Sequence, residues 1–355
     1  MRRSVPTAVS LLLVLAATAG CGGQDAAKSA AAGATAQAPA TSTPPAPPKV
    51  PALTADEALA VVKDLNQRTD VDNYDAEFWK GLTEGPLLEQ QLGVVETTKK
   101  YGTDTPPAPT DAPDAATTVH AWTVGNPDGT DRWILGAQEA VTHTVGDKAN
   151  KAVLYWSLFH QTRKDAPWRK TFLARAPEAT ALPEIATGED GQAKVGGDAA
   201  SLALDPATAC GRFADYLHGR TDADGVKWSK GITELRADLK ASAEDMRGSK
   251  GASGTVDVNV DSVRTPHGPV WRTPDGGALV ACTSVSNVRT EMGPGRSETF
   301  SSSGWPGTTG IRWAAYTQRI MGLTMVKIPA AGVGEVTIGA SSNLPHSFEG
   351  TKYQP

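Results

Sequence analysis

The stretch "RTDVDNYDAEFWKGLTE" (68–84) returns in shortened form as "RTDADGVKWSKGITE" (220–234). Both run Arg-Thr-Asp, then Trp, then Lys-Gly-(Leu/Ile)-Thr-Glu. The offset is about 150 residues: Asp70 matches Asp222, Trp79 matches Trp228 and Gly81 matches Gly231. Further on, "NPDG" (126–129) matches "TPDG" (273–276) at nearly the same offset. Self-similarity at one long period is the mark of a duplicated unit. Each matching stretch is short, so coincidence is the competing reading, and the order of elements around the copies decides against it.

That order repeats. "TADEALAVVKDLNQ" (54–67) opens with a capping box, Thr54 to Glu57, and Leu59, Val62 and Leu65 give a helical face. Its counterpart "DPATACGRFADYLHG" (205–219) carries Cys210, Phe213 and Leu217 on one face. A second helix follows in each half: "GPLLEQQLGVVETTKKY" (85–101), with Pro86 in its first turn, and "ITELRADLKASAEDMRG" (232–248). Strands then take over: "TVHAWTVG", "RWILGAQEAVTHTVG", "KAVLYWSLFHQT" and "WRKTFLARA", then "GTVDVNVDSVR", "GALVACTSVSNVRTEM", "GIRWAAYTQRIMGLTMVKIP" and "GEVTIGAS". Alternation at period two with turn residues between strands predicts antiparallel meanders. The expected class is α+β, as two tandem repeats, each with N-terminal helices packed on a curved antiparallel sheet. The first unit is placed at 51–180, the second at 181–345, and a C-terminal tail at 346–355.

The N-terminus reads differently. Arg2 and Arg3 precede an apolar segment of about ten residues centred on "LLLVL" (11–15), too short for a permanent membrane span. Residues 1–20 read as a signal peptide. Thr18-Ala19-Gly20-Cys21 resembles the bacterial lipobox, although Leu is commonest where Thr18 stands. The resemblance implies that Cys21 is diacylated and becomes the first residue of the mature chain. Two acyl chains suffice for stable anchoring where one does not. From 21 to 50 the chain is Ala, Gly, Thr, Ser and Pro with almost no large apolar residue, a composition expected to form a disordered tether.

Only Cys210 and Cys282 remain after Cys21. An even pair in an exported chain reads as a disulfide, with two buried thiols as the alternative. Two cysteines without a C-x-x-C offer too few ligands for zinc. Formal charge is −5, and loss of Arg2 and Arg3 would take it to −7. A dispersed acidic balance without a basic, aromatic-laced cluster speaks against nucleic acid.

Helices followed by a long antiparallel sheet are similar to the NTF2-like and cystatin-like α+β fold. The whole chain also resembles uncharacterised actinobacterial, Streptomyces-like lipoproteins of unknown function. In these, "WRKTFLAR" (168–175) and the later Leu182-Pro183 recur as landmarks between two such units. The resemblance implies no particular activity: NTF2-like members include enzymes, transport factors and assembly modules.

Chemistry-bearing candidates are few. His120, His143 and His160 each fall on a strand of the first half, where neighbouring strands could gather them as ligands or as an acid/base site. Glu139 and Tyr155 could complete such a set with His143. The bland reading is half-exposed strand side chains. Trp79 and Trp228 read as matched core anchors, and Arg68 and Arg220 with Asp70 and Asp222 as matched cap-and-turn ion pairs. There is no nucleophile elbow, P-loop or dinucleotide fingerprint, and no cofactor is expected. The leading expectation is a lipoprotein anchored through Cys21 on the extracellular face of the cytoplasmic membrane. It would act as a non-enzymatic binding or assembly module for an envelope protein or small ligand. The alternatives are an NTF2-like enzyme with its site in the first cone, and a solute-binding lipoprotein.

Overall fold

Helix α1 (Ala55–Thr69) begins as its capping box predicts: the Glu57 N–H donates to Thr54 Oγ1 at 3.3 Å, and the Thr54 N–H donates back to Glu57 Oε2 at 2.8 Å. The structure, a computed structural model, describes residues 53–71, 73–102, 119–125, 131–142, 151–177, 182–220, 225–250, 255–263, 266–300 and 308–354. The signal peptide, Cys21, the tether, "NPDG" and His143 lie outside these residues. Among these residues five α-helices and a curled antiparallel sheet make an α+β fold, and no described helix is long and apolar enough to cross a membrane. The further helices are α2 (Ala76–Leu82), α3 (Gly85–Tyr101), α4 (Pro206–Leu217) and α5 (Lys230–Lys250). α2 falls inside the repeated stretch and is an element the sequence reading lacks.

The strands β1 (Val119–Gly125), β2 (Arg132–Thr142), β3 (Lys151–Gln161) and β4 (Arg169–Arg175) form one meander. A second contains β5 (Thr255–Val263), β7 (Ala278–Glu291), β9 (Arg312–Ile328) and β10 (Thr337–Lys352). Short β6 (Trp271–Arg272) pairs with β7, and β8 (Glu298–Thr299) with β9. The sequence predicts a sheet for each half. Instead all the described strands form one sheet, in the order β1-β2-β3-β4-β10-β9-β7-β5. The join is one antiparallel residue pair, Arg175 with Ser341. The segment expected as a tail is also corrected: β10 runs to Lys352, with Glu349 opposite Thr317 and Thr351 opposite Ala315.

Beyond Ser341 the outer edge of β10 leaves β4, and α3 takes its place. Gln90 Nε2 donates to the Pro345 carbonyl at 2.5 Å, the Phe348 N–H donates to Thr97 Oγ1 at 3.0 Å, and the Gly350 N–H donates to the Tyr101 hydroxyl at 2.9 Å. Helix side chains thus satisfy backbone groups that a missing strand would otherwise pair. Gly93 permits the approach, because a Cβ there would stand 2.0 Å from the His346 carbonyl oxygen.

The two faces of the sheet divide the core. On one, α1 lays Val62 and Leu65 against Ile134 and Phe159, while α4 and α5 lay Phe213 and Ile232 against Val280 and Val326. The other face curls around a single cluster that draws Leu135, Trp156, Phe172, Leu279, Met321 and Met325 from five strands. The connection between the halves closes this curl at one end. The Ala193 N–H donates to the Thr123 carbonyl of β1 at 2.8 Å, Val195 bridges Trp271 of β6, and β6 pairs with β7. A disulfide joins Cys210 of α4 to Cys282 of β7, with Cα atoms 5.2 Å apart and a separation of 72 in sequence.

Two glycine substitutions separate contact from propensity. Gly93→Ala drives a methyl into backbone and should cost about 1–3 kcal/mol in urea unfolding. Gly81→Ala, in α2 with nothing within 4 Å of the new methyl, should instead gain about 0.5–1 kcal/mol. Equal effects at both sites would refute the close α3–β10 packing. Removing the disulfide with Cys210→Ser and Cys282→Ser together should lower stability by about 2–5 kcal/mol in the same assay.

Candidate functional site

Glu84 ends the repeated stretch and precedes α3. Its N–H donates to the Lys170 carbonyl of β4 at 3.1 Å, and Thr83 forms a parallel bridge to the same residue. This pins the α2–α3 junction along the β4 edge and sends the Glu84 carboxylate to His160 of β3. Glu84 Oε1 contacts His160 Nδ1, and Asp131 Oδ2 lies 3.1 Å from His160 Nε2. The same Asp131 oxygen accepts from the Trp133 indole N–H at 3.2 Å. Trp133 lies opposite His160 in the β2–β3 register and stacks on it, with centroids 4.1 Å apart and planes 19° apart.

The second half of the chain closes the other side. His267 meets Trp133 edge-on at 5.6 Å, and Gly268 (φ 78°) lies so near that a Cβ would stand 3.0 Å from the ring. Gly85 (φ 57°) is pressed equally close to His267. A left-handed backbone with no room for a side chain is what glycine uniquely supplies.

Burial acts to lower the His160 pKa, but hydrogen bonding and charge from Glu84, and then from Asp131, outweigh it and raise the pKa above the ordinary 6.5. An imidazolium donating both N–H groups accounts for both contacts. In that state neither nitrogen keeps a lone pair to abstract a proton or bind a metal. The group is a half-buried charged clasp between β3, the start of β2 and the α2–α3 junction. Among the described residues no cluster of three or more His, Cys, Asp or Glu could hold a metal ion.

The other candidates do not assemble around it. His120 lies opposite Ala137 and stacks on Trp122 at 6.0 Å. Val124 occupies the Trp133–His160 row, four positions along β1, or roughly 13 Å away at the usual strand rise. Glu139 faces Leu154, whereas Tyr155 lies opposite Gln138 and Arg175, so the two point to opposite faces of the sheet. Asp131, Trp133 and the role of Glu84 are absent from the sequence reading.

Among the described residues Arg68 does not pair with Asp70. Arg68 bonds Asp64 at 3.0 Å, and Arg220 bonds Asp215 at 3.3 Å. Asp222 lies outside the described residues. Thr69 and Asp70 serve Lys170 instead. Burial pushes its amine down to about 8 while Asp70 opposes that shift, and Nζ donates to Thr69 Oγ1 at 3.3 Å. Trp79 is buried and donates to the Asn73 carbonyl at 2.7 Å, and Trp228 stacks on Tyr216 at 4.9 Å.

Residues 49–344 match a family described as a domain of unknown function, DUF8094. No curated protein matches the chain.

The clasp makes stability depend on pH. A raised folded-state pKa adds stability that is fully present below about 6.5 and lost as pH rises through the folded value. The stability difference between the protein and its His160→Gln variant should therefore be larger near pH 5.5 than near pH 8.5, as read by urea unfolding. A difference that grows with pH would disprove the imidazolium.

Proposed function

The chain belongs to the DUF8094 family, and from that premise, with no activity attached to the family's description, we propose a membrane-anchored extracellular lipoprotein that serves as a non-enzymatic binding or assembly module. One observation carries the non-enzymatic part. His160, the described histidine with the closest acid/base surroundings, spends both ring nitrogens on Glu84 and Asp131. The anchored part rests on the lipobox-like Thr18-Ala19-Gly20-Cys21 behind its short apolar segment. On this reading the Ala/Pro-rich stretch holds the folded body away from the membrane.

The proposal includes duplication. Helices followed by a four-stranded meander occur twice, which is the element order of a cystatin-like or NTF2-like unit. A parallel bridge ties each Trp-containing stretch to its own meander, although at different positions of the stretch: Thr83 with Lys170 near the end of the first, and Trp228 with Val336 within the second. Lys170 and Val336 each stand five residues before the seam partners Arg175 and Ser341. The seam would then join matched positions, with a local two-fold axis through it.

Labelled palmitate should enter the protein in cells and be absent from Cys21→Ala, as read by gel fluorography. Persistent labelling of that variant would remove the anchor. Turnover of any substrate by the purified full chain, abolished in a His160→Gln variant that stays folded at the assay temperature, would end the non-enzymatic reading.

A further inference from the structure

Helices α4 and α5 lean over a region where the sheet changes character. Under the first turns of α4 the sheet presents Ala278, Val280, Val326 and Ile328, all apolar. One step further along the same face the row is Cys282, Thr324 and Ser341 across β7, β9 and β10. The next row is Ser284, Gly322 and Asn343. The floor thus turns from aliphatic to hydroxyl and amide while still under the helices. Above it Phe213, Leu217, Leu235 and Leu239 form an apolar roof. Between them lies a cavity of about 60 Å³, with the Cys210–Cys282 disulfide in its wall. The sheet under α1 also turns polar, from Ile134 and Phe159 to Gly136 and Ser157 and then Gln138, but there Val62 packs down on Gly136 and Asn66 donates to Gln138, so the helix fills the step.

Three features define what would fit. Ser284, Thr324, Ser341 and Asn343 can each donate and accept hydrogen bonds, and the one bond between them joins Thr324 Oγ1 to Ser341 Oγ at 3.3 Å. Gly322 keeps the centre of the floor low, since a Cβ there would stand 2.7 Å from Ser284 Oγ. Among the described residues no carboxylate, ammonium or guanidinium lines the cavity, and His218 at the end of α4 is the one described wall residue with a titratable ring. A charged ligand would be desolvated without a counter-charge. A purely apolar one would cover hydroxyls that need partners. The volume holds about four to six water-sized groups, the size of a glycerol unit or the edge of a sugar ring.

We propose that this cavity binds the hydroxylated edge of a neutral sugar or polyol, with the ligand's C–H face against Phe213 and the leucines. The site rests on the binding-module reading and gives that module a ligand class. The ligand is a free monosaccharide or polyol, or the terminal residue of a longer glycan.

Saturation-transfer NMR on the purified full chain tests it, with glycerol, neutral hexoses, short neutral oligosaccharides and glucuronate as probes. Neutral probes should receive saturation, and glucuronate should not. Leu239→Trp, which fills the roof, should weaken the signal at least tenfold. Asn343→Ala, at an exposed floor position, should weaken it several-fold and guards against a roof variant that fails to fold. Signal from oligosaccharides alone supports the site with a glycan end as its occupant. No signal from any neutral probe, or signal unchanged in both folded variants, overturns the site. Conversion of a bound sugar that is lost in Leu239→Trp would overturn the non-enzymatic reading and leave the site standing.

Discussion

Two four-stranded meanders become one sheet through the single backbone pair between Arg175 and Ser341, and the surrounding structure is arranged to make so narrow a seam hold. The two seam strands run together only there, so each exposes an edge on one side of the pair. The β4 edge is taken by Thr83 and Glu84, and the β10 edge by Gln90, Thr97 and Tyr101. Both covers come from the helical layer of the first half. A typical hydrogen bond nets only about 0.5–1.5 kcal/mol, but a buried backbone group left unpaired costs about 1–3 kcal/mol. The covers therefore matter mainly by preventing a loss.

The curl of the sheet follows from the same economy of edges. With the seam made, β1 stands far along the strand order from β7, and the connection between halves bridges them through Thr123, Val195 and Trp271. One apolar cluster then serves both halves. The clasp at His160 works alongside it: Trp133 is held by His160 and Asp131 from the first half and packed by His267 and Gly268 from the second. Charge, ring stacking and glycine backbone converge on one indole.

Local features were legible in the sequence. The capping box at Thr54, the strand segments and the Cys210–Cys282 pairing need only short-range patterns or a count of cysteines. The shared sheet was not, because a final strand shows the same alternation whether its neighbour is its own half or the other. Seven-residue α2 is under two turns long, too short to display a helical period against the surrounding polar residues. The partners of His160 stand 76 and 29 residues away, and only the register that sets Trp133 against His160 brings them in. The register likewise separates Glu139 from Tyr155, although both lie on paired strands. The cavity floor was hidden for a similar reason: Ser284, Gly322 and Asn343 become a row only once three distant strands are aligned.

The docking of α3 on β10 also dictates the order in which the chain can fold. The bonds from Gln90, Thr97 and Tyr101 reach partners 255, 251 and 249 residues later in sequence. Contacts this distant carry the slow, entropically costly part of folding. As the chain emerges from its N-terminus, the first meander can pair, yet α3 has nowhere to lay its polar face until the last strand arrives. The early half must wait, incompletely consolidated, for nearly the whole chain. A body whose α3 docks on its final strand can complete its packing only after nearly the whole chain has been made.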